Sequence, residues 1–214
     1  MEYELLGWPD DGVQLALDYR AFGYAGKFVM STTGKAVALD PDADPFELDA
    51  TADERVPPPV TDVDGVVDPG PVVGAVAFNG DRTDDRVAWL RYVTVRRDRR
   101  GEGVGPRLVA FTIARLRERG YDRIRIAVNN PFAYEALYRA GFAFTGEETG
   151  VAELVLEYPD EDRSRETYQA GFDVYRTREG LDADERAFLD RKRGVDPPPV
   201  IEPPDGRDRQ QSGQ

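Results

Sequence analysis

The stretch Val93-Thr94-Val95-Arg96-Arg97-Asp98-Arg99-Arg100-Gly101-Glu102-Gly103-Val104-Gly105-Pro106 decides how the rest of the chain is read. A β-branched apolar run stops at a cluster of arginines, three alternate glycines follow, and an amphipathic helical pattern begins. Strand, glycine turn and helix start, in that order, build an anion site from backbone. The first N–H groups of a helix have no intrahelical partner, and the helix dipole favours negative charge there. Glycine lets successive N–H groups curl inward and lets a diphosphate approach the backbone. Pro106 suits the first helical turn, where its missing donor costs nothing, and the arginines add charge-assisted bonds to phosphate oxygens. The plain alternative is a strand-to-helix turn with surface arginines. A Walker loop is excluded because no Gly-Lys-Ser/Thr follows. A dinucleotide fingerprint is excluded because the third glycine comes one residue early.

The run Arg100-Gly101-Glu102-Gly103-Val104-Gly105 resembles the R/Q-x-x-G-x-G/A acyl-CoA loop of the GNAT N-acetyltransferase family. A second match lies about thirty residues downstream, beyond a strand pattern at Ile124 to Val128. Asn130-Pro131-Phe132-Ala133-Tyr134-Glu135-Ala136-Leu137-Tyr138-Arg139-Ala140-Gly141-Phe142 resembles that family's N-x-x-A-x-x-L-Y-x-x-x-G-F helix. The pair, in this order and spacing, is far more specific than either motif alone, and the resemblance covers roughly Gln14 to Tyr158. One departure stands out: Asn130 to Tyr138 is eight positions where the family has seven. The extra residue is read as lying at the helix start, which leaves Asn129 and Asn130 both open as the cofactor contact.

The resemblance implies an α/β fold. Its mixed, mostly antiparallel sheet has about seven strands flanked by helices and splays between the fourth and fifth. It also implies transfer of acetyl from acetyl-CoA to a primary amine by direct attack in a ternary complex. Val93 and Val95 offer backbone groups to the pantetheine arm as an added strand would, and the N–H near Val95 polarises the thioester carbonyl. Gly101, Gly103, Val104 and Gly105 hold the diphosphate with Arg100 alongside, and Asn130 joins the cofactor contacts. Tyr138 is the candidate general acid, since a phenol with a reference pKa near 10 is protonated at neutral pH and can donate to a departing thiolate; the competing reading is a ring that merely packs. Glu135 and Glu153 are nameable as general bases but read better as surface charges. Trp89 and Tyr92 line either the acceptor cleft or the core.

Composition narrows the classes further. The chain has 214 residues, room for one ordinary domain plus appendages. It has no cysteine and no histidine. That removes disulfides, thiolate ligands, a cysteine nucleophile, and the commonest general base and metal ligand, so no metal is expected. No run of eighteen apolar residues and no basic-then-apolar N-terminus appear, which makes a cytoplasmic protein without membrane contact the expectation. The net charge is −13, and only three of the 28 basic residues (Lys27, Lys35, Lys192) are lysines. This pattern suits molar intracellular salt, where screening shrinks to about 3 Å and self-repulsion stops mattering; the simpler reading is an acidic, soluble surface. Arg91 to Arg125 nonetheless holds 11 arginines against 4 acidic residues. A nucleic-acid footprint could look like this, but the overall charge argues against it, and a positive funnel for an anionic cofactor is the more economical account.

In chain order, alternation at Val13 to Tyr19 predicts a first strand. Ala21 to Ser31 reads as a short helix weakened by Gly23 and Gly26. Strands follow at Lys35 to Asp40, Val72 to Phe78 and Val87 to Val95, the last two forming a hairpin across Asn79-Gly80-Asp81. Asp40 to Pro71 reads as an acidic, solvated loop insertion. Pro106 to Arg119 is a helix capped by Gly120, Ile124 to Val128 a strand, and Pro131 to Ala140 a helix ended by Gly141. Ala143 to Thr149 and Val151 to Tyr158 complete the sheet, so residues 1–158 form the acetyltransferase-like domain. Residues 159–194 read as an extension with short helices at Tyr168 to Arg176 and Asp184 to Arg193, with Asp184 as an N-cap. Residues 195–214 read as a disordered tail. Phe172, Tyr175, Phe188 and Leu189 in the extension either pack on the domain or dock on a second copy, which makes a homodimer one expectation. Two functional rivals remain: an acyl-CoA-binding sensor without turnover, and an arginine-rich nucleic-acid or protein interaction module.

Overall fold

The computed structural model of the protein describes residues 1–44, 46, 66–67, 71–160 and 162–209. Most of the expected acidic loop between Asp40 and Pro71 lies outside the described residues, as does the end of the tail. In chain order the strands are β1 (Glu2–Gly7), β2 (Gln14–Leu15), β3 (Gly34–Leu39), β4 (Val66–Val67), β5 (Val72–Gly80), β6 (Val87–Val95), β7 (Arg123–Val128), β8 (Ala143–Glu148), β9 (Leu154–Tyr158) and β10 (Arg207–Asp208). The helices are α1 (Val104–Glu118), α2 (Pro131–Arg139), α3 (Arg165–Arg176) and α4 (Ala183–Arg191). The main sheet has eight strands, one more than expected, and β2 and β4 pair separately. No described helix is long and apolar enough to cross a membrane.

The chain divides into two compact units. The first comprises Met1–Asn79, Leu90–Arg115 and the stretch from Pro203. Its strands run in the order β10-β1-β3-β5-β6. β1 and β5 both pair antiparallel with β3, so Val37 faces Glu4 on one side and Ala75 on the other. Alternate residues of a strand point to opposite faces. On one face Val37, Ala75 and Ala77 join Leu15, Phe22 and Phe28 in a buried cluster, where each large apolar side chain gains about 1.5–3 kcal/mol from leaving water. On the other, Gly74 makes room for α1: a Cβ there would sit 3.2 Å from Val104 and 3.3 Å from Leu108.

Three expectations for this unit need correction. The first strand of the sheet is Glu2–Gly7, and the predicted Val13 to Tyr19 strand shrinks to Gln14–Leu15. Glu2-Tyr-Glu-Leu-Leu-Gly loses its alternation after Leu5, where the β1–β3 register shifts, so periodicity favoured the cleaner but wrong segment. The predicted Ala21 to Ser31 helix is one 3-10 turn at Ala25–Lys27, opened by Tyr24 at φ +59°. Ala21, Phe22, Ala25 and Phe28 are buried, so the helical spacing marked a core-facing loop. Finally, the stretch from Val195 has a defined course as far as Arg209. β10 pairs parallel to β1, with Glu4 opposite Arg207. Arg207 and Arg209 both reach the Glu4 carboxylate, which is 7% exposed. The Arg115 guanidinium donates to the Gly206 carbonyl.

The second unit comprises Gly80–Trp89 and Leu116–Glu202. Its strands run β7-β9-β8, antiparallel throughout. The residues beyond Pro159, as far as Glu202, belong to this unit. α3 starts at Ser164, whose side chain accepts from Thr167 N–H. α4 starts at Asp182 rather than the predicted Asp184, because Asp182 completes a capping box with Glu185. Phe172, Tyr175 and Leu189 are buried, and Phe188 packs on Phe132 of α2 with ring centroids 4.7 Å apart. Tyr134 lies among Tyr138, Tyr168, Phe172 and Tyr175 at centroid distances of 4.9 to 6.0 Å. Gly171 is required there: a Cβ would fall 2.2 Å from the Tyr134 hydroxyl.

Candidate functional site

The strand, glycine turn and helix start read from the sequence lie in the first unit. β6 spans Val87–Val95 as the sequence predicts and ends in a 3-10 turn at Arg97–Arg99. Gly101 and Gly103 then turn left-handed, at φ +85° and +80°. Other residues adopt that conformation only at a cost. α1 starts at Val104, two residues earlier than predicted, so Gly105 and Pro106 lie in its first turn. A Gly105 Cβ would meet Val95 Cγ2 at 3.4 Å, so the end of β6 lies against this first turn. Val104 is buried, Val93 and Val95 half-buried, and Arg100 exposed. These seven predicted residues (Val93, Val95, Arg100, Gly101, Gly103, Val104 and Gly105) follow one another along one strand, turn and helix start. Nothing lies within 4 Å of where a Gly101 Cβ would stand, so the backbone is open to a closely approaching group. Among the described residues no cluster of His, Cys, Asp or Glu is placed to hold a metal ion.

The arginines around the loop divide into two sets. Arg96 pairs with Asp98, and Arg99 with both Asp40 and Glu102. Arg97, Arg100 and Arg107 are exposed and carry no ion pair with any described carboxylate. The loop is also tied to the segment between β2 and β3. Arg97 N–H donates to the Ala21 carbonyl at 2.9 Å. A Gly23 Cβ would lie 3.8 Å from Arg100 Nη2 and 4.0 Å from Thr94 Oγ1. The turn holding Ala21 is stiffened by Asp18, whose carboxyl is kept below the usual range by its hydrogen bonds from Arg20. Tyr92 packs against Tyr24 and Phe28 of this segment. Sequence reading missed that docking, because it joins segments about seventy residues apart through one backbone hydrogen bond and ring contacts that no local pattern marks.

Lys35 was also missed. Its side chain is fully buried in the first unit, and its ammonium donates to the Met30 and Thr33 carbonyls and to Thr33 Oγ1 at 2.6–2.8 Å. Burial without a carboxylate partner lowers its pKa to about 8.

Asn130 and Tyr138 lie in the second unit. Asn130 is the N-cap of α2, its side-chain oxygen accepting Ala133 N–H at 2.8 Å. The neighbouring Asn129 carbonyl accepts from Arg178. Tyr138 is fully buried; its hydroxyl oxygen accepts Phe144 N–H at 2.9 Å, and the Arg163 guanidinium lies 5.2 Å from its ring. Burial pushes its phenol pKa up. The helix begins directly after Asn130, so no extra residue sits at its start. Asn130, Ala133, Gly141 and Phe142 keep the family spacing, only two residues separate Tyr138 from Gly141, and Leu137 stands seven positions after Asn130 where the pattern has tyrosine. Each residue turns a helix by about 100°, and the turned side chain enters the cluster around Tyr134. Of the other candidates, Glu135 pairs with Lys192 at 2.7 Å and Trp89 donates to Asp81 at 2.8 Å. Both contacts are structural.

Three solved structures are similar at low identity. Nourseothricin acetyltransferase is 20% identical over 58% of this chain and 64% of its own, with a TM-score of 0.41. A GCN5-related N-acetyltransferase from Kribbella flavida is 20% identical over 60% and 68%, with a TM-score of 0.43. A ribosomal-protein-alanine N-acetyltransferase from Brucella melitensis is 19% identical over 58% and 67%, with a TM-score of 0.40. The chain thus spans less than two thirds of the first of these, and no curated protein sequence matches it. The sequence profile of the acetyltransferase (GNAT) family matches residues 30–142, over half of the chain and inclusive of both motifs. With the loop, the α1 start and the capped α2 helix in place inside that span, the chain belongs to the GNAT acetyltransferase family.

Proposed function

We propose that the chain is an N-acetyltransferase that moves the acetyl group of acetyl-CoA to a primary amine. The observation that carries this reading is the open, left-handed glycine turn at the N-terminus of α1, fed by β6 and flanked by exposed arginines. Acetyl-CoA supplies an activated thioester. The residues of the chain then bind and orient it. Gly103, Val104 and Gly105 present helix-start N–H groups to the diphosphate, Arg100 adds a charge-assisted bond, and the Val93 and Val95 backbone aligns the pantetheine arm. In the transfer a C–N bond forms as the C–S bond breaks, the amine loses a proton and the thiolate gains one. Much of the rate comes from positioning. Tyr138 enters as the proton donor, with burial keeping its phenol protonated. The acidic, lysine-poor composition supports work at molar salt in the cytoplasm.

A second reading, acyl-CoA binding without turnover, draws on one observation: Tyr138 is fully enclosed and its oxygen is engaged by Phe144 N–H. Calorimetry with acetyl-CoA in high potassium chloride, on the wild type and Gly103→Glu, tests the binding step common to both. Saturable binding that the variant loses supports the loop assignment, and no binding at any salt refutes both readings. Release of free thiol on adding a panel of amines then separates enzyme from sensor.

A further inference from the structure

The tail is held at the edge of the first unit's sheet by contacts out of proportion to its length. β10 is two residues long and pairs parallel to β1, with Glu4 opposite Arg207 and Leu5 opposite Asp208. The buried Glu4 carboxylate accepts from Arg207 Nε at 3.0 Å, and Arg209 Nε lies 3.3 Å from its other oxygen. Arg207 also reaches Glu2 at 3.4 Å. Gly206 sits in a notch against α1: a Cβ there would fall 2.4 Å from the Phe111 ring and 2.5 Å from the Tyr3 carbonyl oxygen. Arg115 of α1 lies over the Phe111 ring, donates to the Gly206 carbonyl at 2.8 Å and stands 3.2 Å from the Asp208 carboxylate.

Each of these contacts reads a residue of the tail. The notch has no room for a side chain, and the arginines, two positions apart, converge on one buried carboxylate. Without the tail, β1 would present unpaired N–H and C=O groups, an edge that another strand can extend. A second β1 does not suit it, because Glu2 and Glu4 would meet like charges. A strand with arginine at alternate positions does, and the main-chain pairing adds to the fit. The chain leading to the tail, Pro197-Pro198-Pro199-Val200-Ile201-Glu202-Pro203-Pro204, has five prolines in eight residues. Proline fixes φ and makes such a segment a semi-rigid, extended spacer. A stiff spacer does little to concentrate the tail around its own site, and the contacts are the same on either of two chains, so exchange loses little. We propose that the edge formed by β1 and α1 is a docking site for the Gly206-Arg207-Asp208-Arg209 segment, and that two copies of the chain join by exchanging their tails across it.

The test uses the full chain and a peptide, Pro-Pro-Asp-Gly-Arg-Asp-Arg, that copies residues 203–209. Sedimentation velocity of the wild type at one fixed salt concentration should show a dimer fraction that rises with protein concentration and falls when excess peptide is added. Gly206→Val, whose tail no longer fits the notch, should stay monomeric at every concentration. With its own site open, it should bind the fluorescently labelled peptide about tenfold or more tightly than the wild type does, and that binding also shows that the variant folds. A wild type that is monomeric throughout, a dimer that the peptide leaves intact, or a Gly206→Val chain that dimerises as the wild type does would overturn the exchange. A Gly206→Val chain with the circular dichroism of the wild type that takes up no peptide would overturn the docking site itself. If that variant loses the wild-type circular dichroism, the double variant Arg207→Gln, Arg209→Gln takes its place with the same expectations.

Discussion

Replacing Tyr138 by phenylalanine takes away one oxygen and keeps the ring. In the wild type that oxygen accepts Phe144 N–H at 2.9 Å where both residues are buried. The variant leaves the N–H without its partner and without water, a loss of about 1–3 kcal/mol. For a chain of this size each kcal/mol moves the melting temperature by about 2–4 °C, so the expected drop is about 2–12 °C. Aromatic packing against Tyr134 and Tyr168 should persist, since the centroids at 4.9 and 4.7 Å involve only the rings. If the same hydroxyl protonates the leaving thiolate, turnover per folded molecule also falls, by about 10²–10⁴ for loss of a general acid, with acetyl-CoA affinity unchanged. Differential scanning calorimetry reads the first effect and thiol-release kinetics, normalised to folded protein, reads the second. An unchanged melting temperature would refute the account of Phe144. A lowered melting temperature with unchanged turnover would refute the general-acid role and leave Tyr138 as an anchor of β8.

Other expectations are as direct. Gly171→Ala forces a methyl against the buried Tyr134 ring and hydroxyl, so stability should fall by about 1–3 kcal/mol; a neutral result in chemical denaturation would mean that α3 shifts freely. Lys35 binds fewer protons in the folded than in the unfolded state between about pH 8 and 10.5. Stability of the wild type should therefore rise with pH through that window relative to Lys35→Met, by no more than about 3 kcal/mol. Denaturant midpoints that differ by a constant amount from pH 7 to 10 would contradict it. Truncation after Glu202 removes β10 and both guanidinium groups on Glu4, and is expected to cost about 1–3 kcal/mol. A melting temperature equal to that of the full chain would show that the tail contributes nothing.

The motif-bearing elements were legible because local chemistry forces them. β6, the glycine turn and α1 come from β-branched residues, left-handed glycines and a first-turn proline, each acting over a few neighbours. α2 was legible for the same reason, with Asn130 capping it and Gly141 ending it at φ +102°. The edges were not. β1 and β10 form because strands distant in sequence supply their hydrogen bonds, and a pairing 203 residues apart leaves no periodic trace in either segment. The Ala21 to Ser31 stretch misled because helical spacing and a loop that buries every third or fourth residue look alike in one dimension.

What the sequence determined by itself is the glycine turn before α1 and the family pattern around it, since backbone conformation at Gly101 and Gly103 depends on the residues themselves. Tertiary structure alone decided what the side chains of that pattern do. Tyr138 looks available along the chain, yet a helix that starts at Asn130 turns it into a buried cluster. Eleven arginines between Arg91 and Arg125 look alike in sequence. Only the three-dimensional placement of Asp40, Asp98 and Glu102 separates the neutralised Arg96 and Arg99 from Arg97, Arg100 and Arg107. The physical reason is range: backbone torsion is set within a few residues, whereas burial and ion pairing depend on groups that only folding brings within about 4 Å.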